Sequence, residues 1–108
     1  MIKVDIFIKQ NSIFKFQMDG HAGYSEDEDI VCAAASSAVW MTINGVENVA
    51  NVKCGYETGD GYVSFILPDD LAQEEKSKTD LLLNSFLLYI KELESQYTKY
   101  IKVTELEV

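Results

Sequence analysis

The segment from Ile30 to about Val49 constrains the fold of this chain more than any other, because apolar residues surround most of it. Its Ala-rich and Val-rich composition predicts a helix, and a helix without a wide polar face has to be covered by other elements. Asp29 directly precedes this segment and is a suitable N-cap. The rest of the chain must therefore supply a second layer against this helix.

Two hairpins are predicted to supply that layer, since residues on both sides of the helix alternate in polarity with a period of two. The first hairpin precedes the helix and turns at Gln10-Asn11. Its apolar positions are Ile2, Val4, Ile6, Ile8, Phe14, Phe16 and Met18. The second hairpin joins residues 52–57 to residues 62–67 through the turn Thr58-Gly59-Asp60-Gly61, and it ends at Pro68. Each hairpin is expected to bury one face.

The last part of the chain is predicted to form a long helix and a final strand. Apolar residues recur at steps of three and four between about Asp70 and Tyr97, which indicates an amphipathic helix. Tyr100 to Val108 is predicted to be a strand. The order ββαββαβ predicts an α+β fold, a two-helix sandwich on a mostly antiparallel five-stranded sheet. With 108 residues, the chain is interpreted as one domain over residues 1–108 that needs no metal or disulfide to fold.

The charge and composition exclude several classes of function. Eighteen acidic and nine basic residues give a formal net charge of −9, which disfavours direct binding to nucleic acid or anionic lipid and favours a cationic partner. Ser, Asn and charged residues interrupt the apolar stretches before the roughly 18 residues that a membrane span needs. The N-terminal segment has no secretory leader, and the two cysteines are expected to be free thiols. These features predict a cytoplasmic protein without a membrane anchor.

Cys32 and His21 form the candidate catalytic pair. Cys32 falls in the first turn of the predicted helix, where free N–H groups favour a thiolate and are suited to holding an oxyanion. His21 is the only imidazole in the chain, so it alone can serve as the base. The acidic residues 26–29 oppose this effect by raising the pKa of a nearby thiol, so the direction of the shift stays open. Cys32 as a small core residue is the competing interpretation.

Other residues near this pair are assigned supporting roles. Glycines at Gly20 and Gly23 allow close backbone approach or unusual dihedral angles, and Ser36 lies one helical turn beyond Cys32. The residues expected to support the site or bind substrate are Gly20, Gly23, Tyr24, Asp29, Ala33 and Ser36. The sequence has neither a CxxC motif nor two histidines four residues apart, so no metal or cofactor is predicted. The loop between His21 and Cys32 is expected to be mobile without substrate.

The motif Gly20-His21-Ala22-Gly23-Tyr24, followed by residues 29–34 and Ser36, resembles the ribosomal-processing cysteine protease family, Prp. The resemblance extends over essentially the whole chain. It implies an endopeptidase, typically a homodimer, that removes an N-terminal extension from a bacterial large-subunit ribosomal protein. It also implies that His21 and Cys32 are catalytic and that Asp29 and Ser36 are the motif Asp and Ser. The loop here is one residue shorter than is common in the family, which leaves the substrate preference open.

Two other functions fit the same residues. One is a non-catalytic dimeric module that binds a basic ribosomal protein, and the other is a thiol redox sensor that uses Cys32 and Cys54. Turnover of a substrate separates the first from a protease. An interior position of Cys54, which the alternating pattern around it predicts, argues against the second.

Overall fold

A five-stranded sheet forms one layer of the computed structural model, which describes residues 1–108. The elements in chain order are β1 (Ile2–Lys9), β2 (Ser12–Asp19), α1 (Ile30–Asn44), a π-helical turn (Gly45–Val49), β3 (Gly55–Gly59), β4 (Tyr62–Ile66), α2 (Gln73–Gln96) and β5 (Ile101–Glu107). The strand order is β3-β4-β2-β1-β5. Only the β1–β5 pair is parallel. The structure thus confirms the predicted α+β fold on a mostly antiparallel sheet.

Both helices pack on the same face of the sheet. Cross-strand pairing aligns Phe16 of β2 with Phe65 of β4, and their rings stack with centroids 4.8 Å apart. Phe86 of α2 also stacks on Phe16, with ring centroids 4.5 Å apart. From α1, Val31 and Val39 join the same buried cluster. The two-residue alternation of the strands and the apolar positions of the helices therefore form a single core between two layers.

The first helix changes its hydrogen-bonding pattern before its predicted end. Its α-helical part ends at Asn44, and a π-helical turn closes with a bond from the Ala50 N–H to the Gly45 carbonyl at 2.8 Å. A Cβ atom on Gly45 would lie 3.3 Å from a methyl group of Leu82 in α2. We attribute the glycine to this close approach between the two helices, which the composition of one helix does not reveal.

The apolar stretch Ile30–Val49 is also long and apolar enough to cross a membrane, with a mean hydropathy of 1.3. The Ser, Asn and charged residues in this stretch therefore do not exclude a membrane span, contrary to the prediction from the sequence. Core helices share this composition, and here Val31, Ala35, Val39 and Ile43 are buried within the domain. Packing against the sheet accounts for this buried stripe alone. Trp40, Met41 and Val49 are exposed, so the expectation that other elements cover the whole helix is wrong.

The edge of the second hairpin differs from its prediction. Strand β3 begins at Gly55 rather than Val52, and every residue of β3 is exposed. Val52 is instead buried in a connecting segment, where its N–H donates to the carbonyl of Val46 at 2.9 Å. The alternation of Val52 with Cys54 therefore comes from packing of the segment before the strand against the core.

The long helix α2 is shorter than predicted, since it spans Gln73–Gln96.

Candidate active site

Asp29 connects the loop to the start of α1. Its Oδ1 accepts a hydrogen bond from the Cys32 N–H at 3.0 Å, and its Oδ2 accepts one from the Tyr24 N–H at 3.1 Å. The first bond is a standard N-cap contact, which places Cys32 at the third helical position. These hydrogen bonds hold the pKa of the Asp29 carboxyl below its usual range, the one from Cys32 contributing most. One carboxylate therefore orients both the helix start and the loop.

The thiol of Cys32 is half-buried and accepts a hydrogen bond. The Ala22 N–H donates to its Sγ at 3.1 Å. Burial raises the pKa of the Cys32 thiol and the negative charge of Asp29 adds to this, while the Ala22 N–H acts in the opposite direction. The direction that the sequence left open is thus upward. Without a bound peptide the thiol is mainly protonated near neutral pH.

His21 follows the end of β2, with 63% of its side chain exposed. Its Nε2 lies 3.5 Å from Oδ1 of Asp60, and no hydrogen bond joins the imidazole to the thiol of Cys32. Both side chains nevertheless line one cleft of about 350 Å³. The cleft residues are Ile2, Met18, Gly20, His21, Cys32, Ala35, Ser36, Val39, Trp40, Thr58, Gly59, Gly61, Tyr62 and Val63. The structure thus brings Gly20, His21, Cys32 and Ser36 together.

The other predicted residues lie outside the cleft lining. Ala33 is exposed on α1, and Gly23 has a φ of +71° in the loop. The ring of Tyr24 makes edge contacts with Tyr97 and Tyr100, at centroid distances of 5.7 and 5.2 Å. Tyr24 therefore attaches the loop to the segment between α2 and β5. Its placement indicates a role in holding the loop.

Several cleft residues were not predicted from the sequence, among them residues of the second hairpin and Trp40 of α1. Thr58 and Gly59 are the last residues of β3 and Gly61 lies in the turn after it, whereas the sequence predicted all three as a turn. Trp40 lies on the α1 wall of the cleft, and its ring meets Tyr56 edge-on at 5.9 Å. Local patterns predicted the helix that carries Trp40 and a turn at Asp60-Gly61, but they ended β3 before Thr58 and Gly59, which belong to the strand. Only the order of strands in the sheet places them beside His21.

Cys54 occupies a different environment from Cys32. It packs against the core, half-buried, and burial together with Glu47 raises the pKa of its thiol to about 11. Both cysteines are free. In addition, no group of three or more His, Cys, Asp or Glu side chains is arranged to hold a metal ion. Of the two thiols, only that of Cys32 lines the cleft.

The sequence and the fold both match known proteins. Residues 1–102 match the family described as "Cysteine protease Prp". The chain belongs to this family. The ribosomal processing cysteine protease Prp of Bacillus subtilis is 30% identical over 95 residues, which cover 85% of each chain. The corresponding Prp of Staphylococcus aureus is 26% identical over 107 residues, covering 95% of this chain and 97% of the relative.

Two solved structures of Prp from S. aureus have the same fold. One contains a covalently linked product peptide and superposes with a TM-score of 0.88 at 26% identity, covering 97% of this chain and 99% of the other. The second contains a substrate peptide and superposes with a TM-score of 0.83 at 25% identity over the same shares. The predicted Prp resemblance is therefore confirmed, and the chain is a cysteine protease. Membership in Prp argues against the binding-module and redox-sensor alternatives.

Proposed function

We propose that this protein is an endopeptidase that removes the N-terminal extension of a bacterial large-subunit ribosomal protein. Cys32 is the nucleophile and His21 the base. The observation that carries the proposal is the shared cleft, which holds the chain's only imidazole and a thiol at a helix N-terminus. The peptide-bound Prp structures of S. aureus, one of them covalent, support the same chemistry.

The reaction proceeds through an acyl-enzyme. His21 takes the proton from the Cys32 thiol, the sulfur bonds to the scissile carbonyl carbon, and the carbonyl π electrons move to oxygen. When the carbonyl re-forms, the C–N bond breaks and the imidazolium protonates the leaving amine. Water then gives a proton to His21 and attacks the thioester. The C–S bond breaks, and the returning proton restores the thiol.

The backbone amides near the thiol have different roles in this scheme. The Cys32 N–H, expected from the sequence to help hold the oxyanion, already donates to Asp29. The Ala22 N–H instead points at Sγ from 3.1 Å and stabilises the developing thiolate. An amide next to the sulfur is also close to the carbonyl that the sulfur attacks. We therefore propose that the Ala22 N–H, and not the Cys32 N–H, is the backbone donor that stabilises the thiolate and then the oxyanion.

The surroundings of the site suit a basic peptide. The net charge of −9 attracts cationic segments, which are typical of proteins that bind ribosomal RNA. The exposed acidic residues Glu26, Asp27 and Glu28 lie in the loop between the two catalytic residues. We place the reaction in the cytoplasm, where ribosomal proteins are made, and propose that the enzyme needs no cofactor.

The test is the processing of a ribosomal-protein precursor, followed by mass spectrometry. Wild-type protein should release one N-terminal peptide. Cys32→Ala and His21→Ala should each reduce the rate by at least about a thousandfold, because the nucleophile and its base act as a unit. Cys54→Ala is the matched control and should retain activity. Substantial cleavage by Cys32→Ala would contradict the proposal.

We also propose that the protein is a homodimer, as the family resemblance implies. Sedimentation equilibrium at micromolar concentration should give twice the mass of 12.2 kDa. A single species with the monomer mass over the whole concentration range would contradict this proposal without affecting the catalytic assignment.

A further inference from the structure

The turn Asp60-Gly61, between β3 and β4, lies directly against the imidazole of His21. The pairing of strands explains this position. Asp19, the last residue of β2, is paired with Tyr62, the first residue of β4. Continuing the antiparallel register past these ends brings the residues after β2 opposite the residues before β4.

A backbone hydrogen bond shows that the register does continue. The Gly20 N–H donates to the Gly61 carbonyl at 2.8 Å, so Gly20 lies opposite Gly61. One place further, His21 faces Asp60. The position of the His21 backbone relative to the turn is therefore determined by the sheet and not by the long loop that follows His21.

Gly61 forms a surface without a side chain under the imidazole ring. A Cβ atom at this position would lie 2.7 Å from Nε2, 3.1 Å from Cδ2 and 3.3 Å from Cε1 of His21. These distances are shorter than ordinary van der Waals contacts, so any side chain here would displace the ring. The φ angle of Gly61, +64°, is also one that glycine adopts most easily.

Asp60 provides a hydrogen-bond acceptor at the same edge of the ring. Its Oδ1 lies 3.5 Å from Nε2, although 98% of its side chain is exposed. Of the two neutral tautomers of an imidazole, a carboxylate at Nε2 favours the one in which Nε2 carries the proton. The other nitrogen, Nδ1, is then unprotonated and able to accept the proton of a thiol.

We propose that Asp60 and Gly61 are positioning residues that seat the catalytic imidazole, an inference that rests on the proposed function. The thiol proton moves from Sγ to Nδ1, while Nε2 retains its own proton and its contact with Asp60. The order carboxylate, imidazole, thiol follows the general logic by which a third group orients a catalytic base. The missing bond between His21 and Cys32 is consistent with this order, since such bonds often shorten only when substrate binds.

The test for Asp60 compares Asp60→Ala with Asp69→Ala, which removes an equal charge from an exposed residue outside the cleft. Asp60→Ala should lower kcat about fivefold, the effect that one exposed ion pair supports. KM should not change, because the contact acts on the base and not on the peptide. Asp60→Glu should restore most of kcat, since its longer side chain still reaches the ring. Asp60 does not have a positive φ, so alanine introduces no backbone strain there.

A second measurement reports the tautomer of the His21 ring and needs no turnover of substrate. His21 is the only histidine, so the ring ¹⁵N shifts of labelled protein come from this residue alone. At a pH where the ring is neutral, wild-type and Asp69→Ala proteins should show an unprotonated Nδ1. Asp60→Ala should move toward the mixture of tautomers that an unrestrained imidazole shows. If wild-type protein cleaves no precursor, the proposed function is wrong. The ring ¹⁵N shifts still show whether Asp60 positions the His21 imidazole.

The test for Gly61 uses two substitutions with different backbone preferences. Gly61→Ala should lower kcat about a hundredfold, the cost of a displacement of roughly 1 Å in a catalytic group. Gly61→Asn should lower kcat to a similar degree, because it also carries a Cβ, although asparagine tolerates a positive φ better than alanine. Recovery of activity in Gly61→Asn would show that strain, and not displacement of the ring, causes the loss.

Two results would overturn the role of Asp60. One is Asp60→Ala protein with the same kcat and the same ring ¹⁵N shifts as Asp69→Ala, which would make Asp60 a solvated turn residue. The other is a higher kcat in Asp60→Ala, which would show that the contact restrains the imidazole away from the thiol.

Discussion

At the scale of single residues, one side chain of the site, that of Asp29, has several roles at once. Asp29 caps the helix, holds the loop through Tyr24 and places a negative charge near the Cys32 thiol. The two hydrogen bonds stabilise the fold, whereas the negative charge raises the pKa of Cys32, the proposed nucleophile. In the proposed mechanism, the thiol therefore stays protonated until His21 accepts its proton.

The raised pKa of Cys32 predicts slow alkylation at neutral pH. In a Cys54→Ala background, the rate of reaction with iodoacetamide follows the thiolate fraction of Cys32. Because burial and Asp29 raise this pKa from an ordinary value of 9.0, the rate at pH 9.0 should be below half of its plateau at higher pH. Asp29→Asn should move the curve to lower pH, since it removes the nearby negative charge. A rate that is already constant at pH 7 would contradict the upward shift.

At the scale of elements, the end of β2 is built from backbone contacts. Gly20 has a φ of +95°, and a Cβ atom there would collide with the carbonyl oxygen of Met1. Gly23 also has a positive φ, but a Cβ atom there would meet nothing within 4 Å. Glycine is therefore favoured at position 20 by both the φ angle and the close approach of Met1. At position 23 it is favoured by the φ angle alone.

This difference predicts unequal losses of stability. Gly23→Ala should lower the free energy of unfolding by about 1–2 kcal/mol, the cost of a left-handed backbone for a residue with a Cβ. Gly20→Ala should add a loss of roughly 1–3 kcal/mol from the collision with the backbone. Urea unfolding followed by circular dichroism measures both. Equal losses in the two variants would show that the collision is relieved by movement of the N-terminus.

At the scale of the whole molecule, the fold leaves one sheet face and much acidic surface open to solvent. Both helices pack on one face of the sheet, and the cleft opens between α1, the end of β2 and the second hairpin. The excess of nine negative charges therefore acts on any molecule approaching from solution. Long-range attraction of this kind mainly accelerates association.

The charge predicts a salt-dependent association rate for a basic substrate peptide. With Cys32→Ala protein, raising the ionic strength from about 0.01 to 0.15 M should slow association roughly tenfold and leave dissociation nearly unchanged. A peptide with glutamine in place of its basic residues is the control. The triple variant Glu26→Gln, Asp27→Asn and Glu28→Gln then separates the loop from the remaining charge. An association rate that does not change with salt would contradict electrostatic steering.

The sequence by itself determined the elements, their order and the catalytic candidates. Local rules are sufficient for these features, because polarity patterns report which side of an element is buried and an N-cap such as Asp29 marks a helix start. The motif around His21 and Cys32 was likewise visible as a continuous segment of 12 residues. The prediction for Cys54 was correct only in part, because it packs against the core but is half-buried and precedes β3 instead of lying inside it.

Only the tertiary structure decided what surrounds His21 and how α1 ends. The contact between the imidazole and Asp60-Gly61 joins residues about 40 positions apart, and it depends on β4 pairing with β2. The close approach of Leu82 to Gly45 depends on the packing of α2 against the π-helical turn. The pKa of Cys32 depends on a balance between burial and the Ala22 N–H. These features arise from non-local packing, and a pattern that repeats every two or four residues carries no information about distant partners.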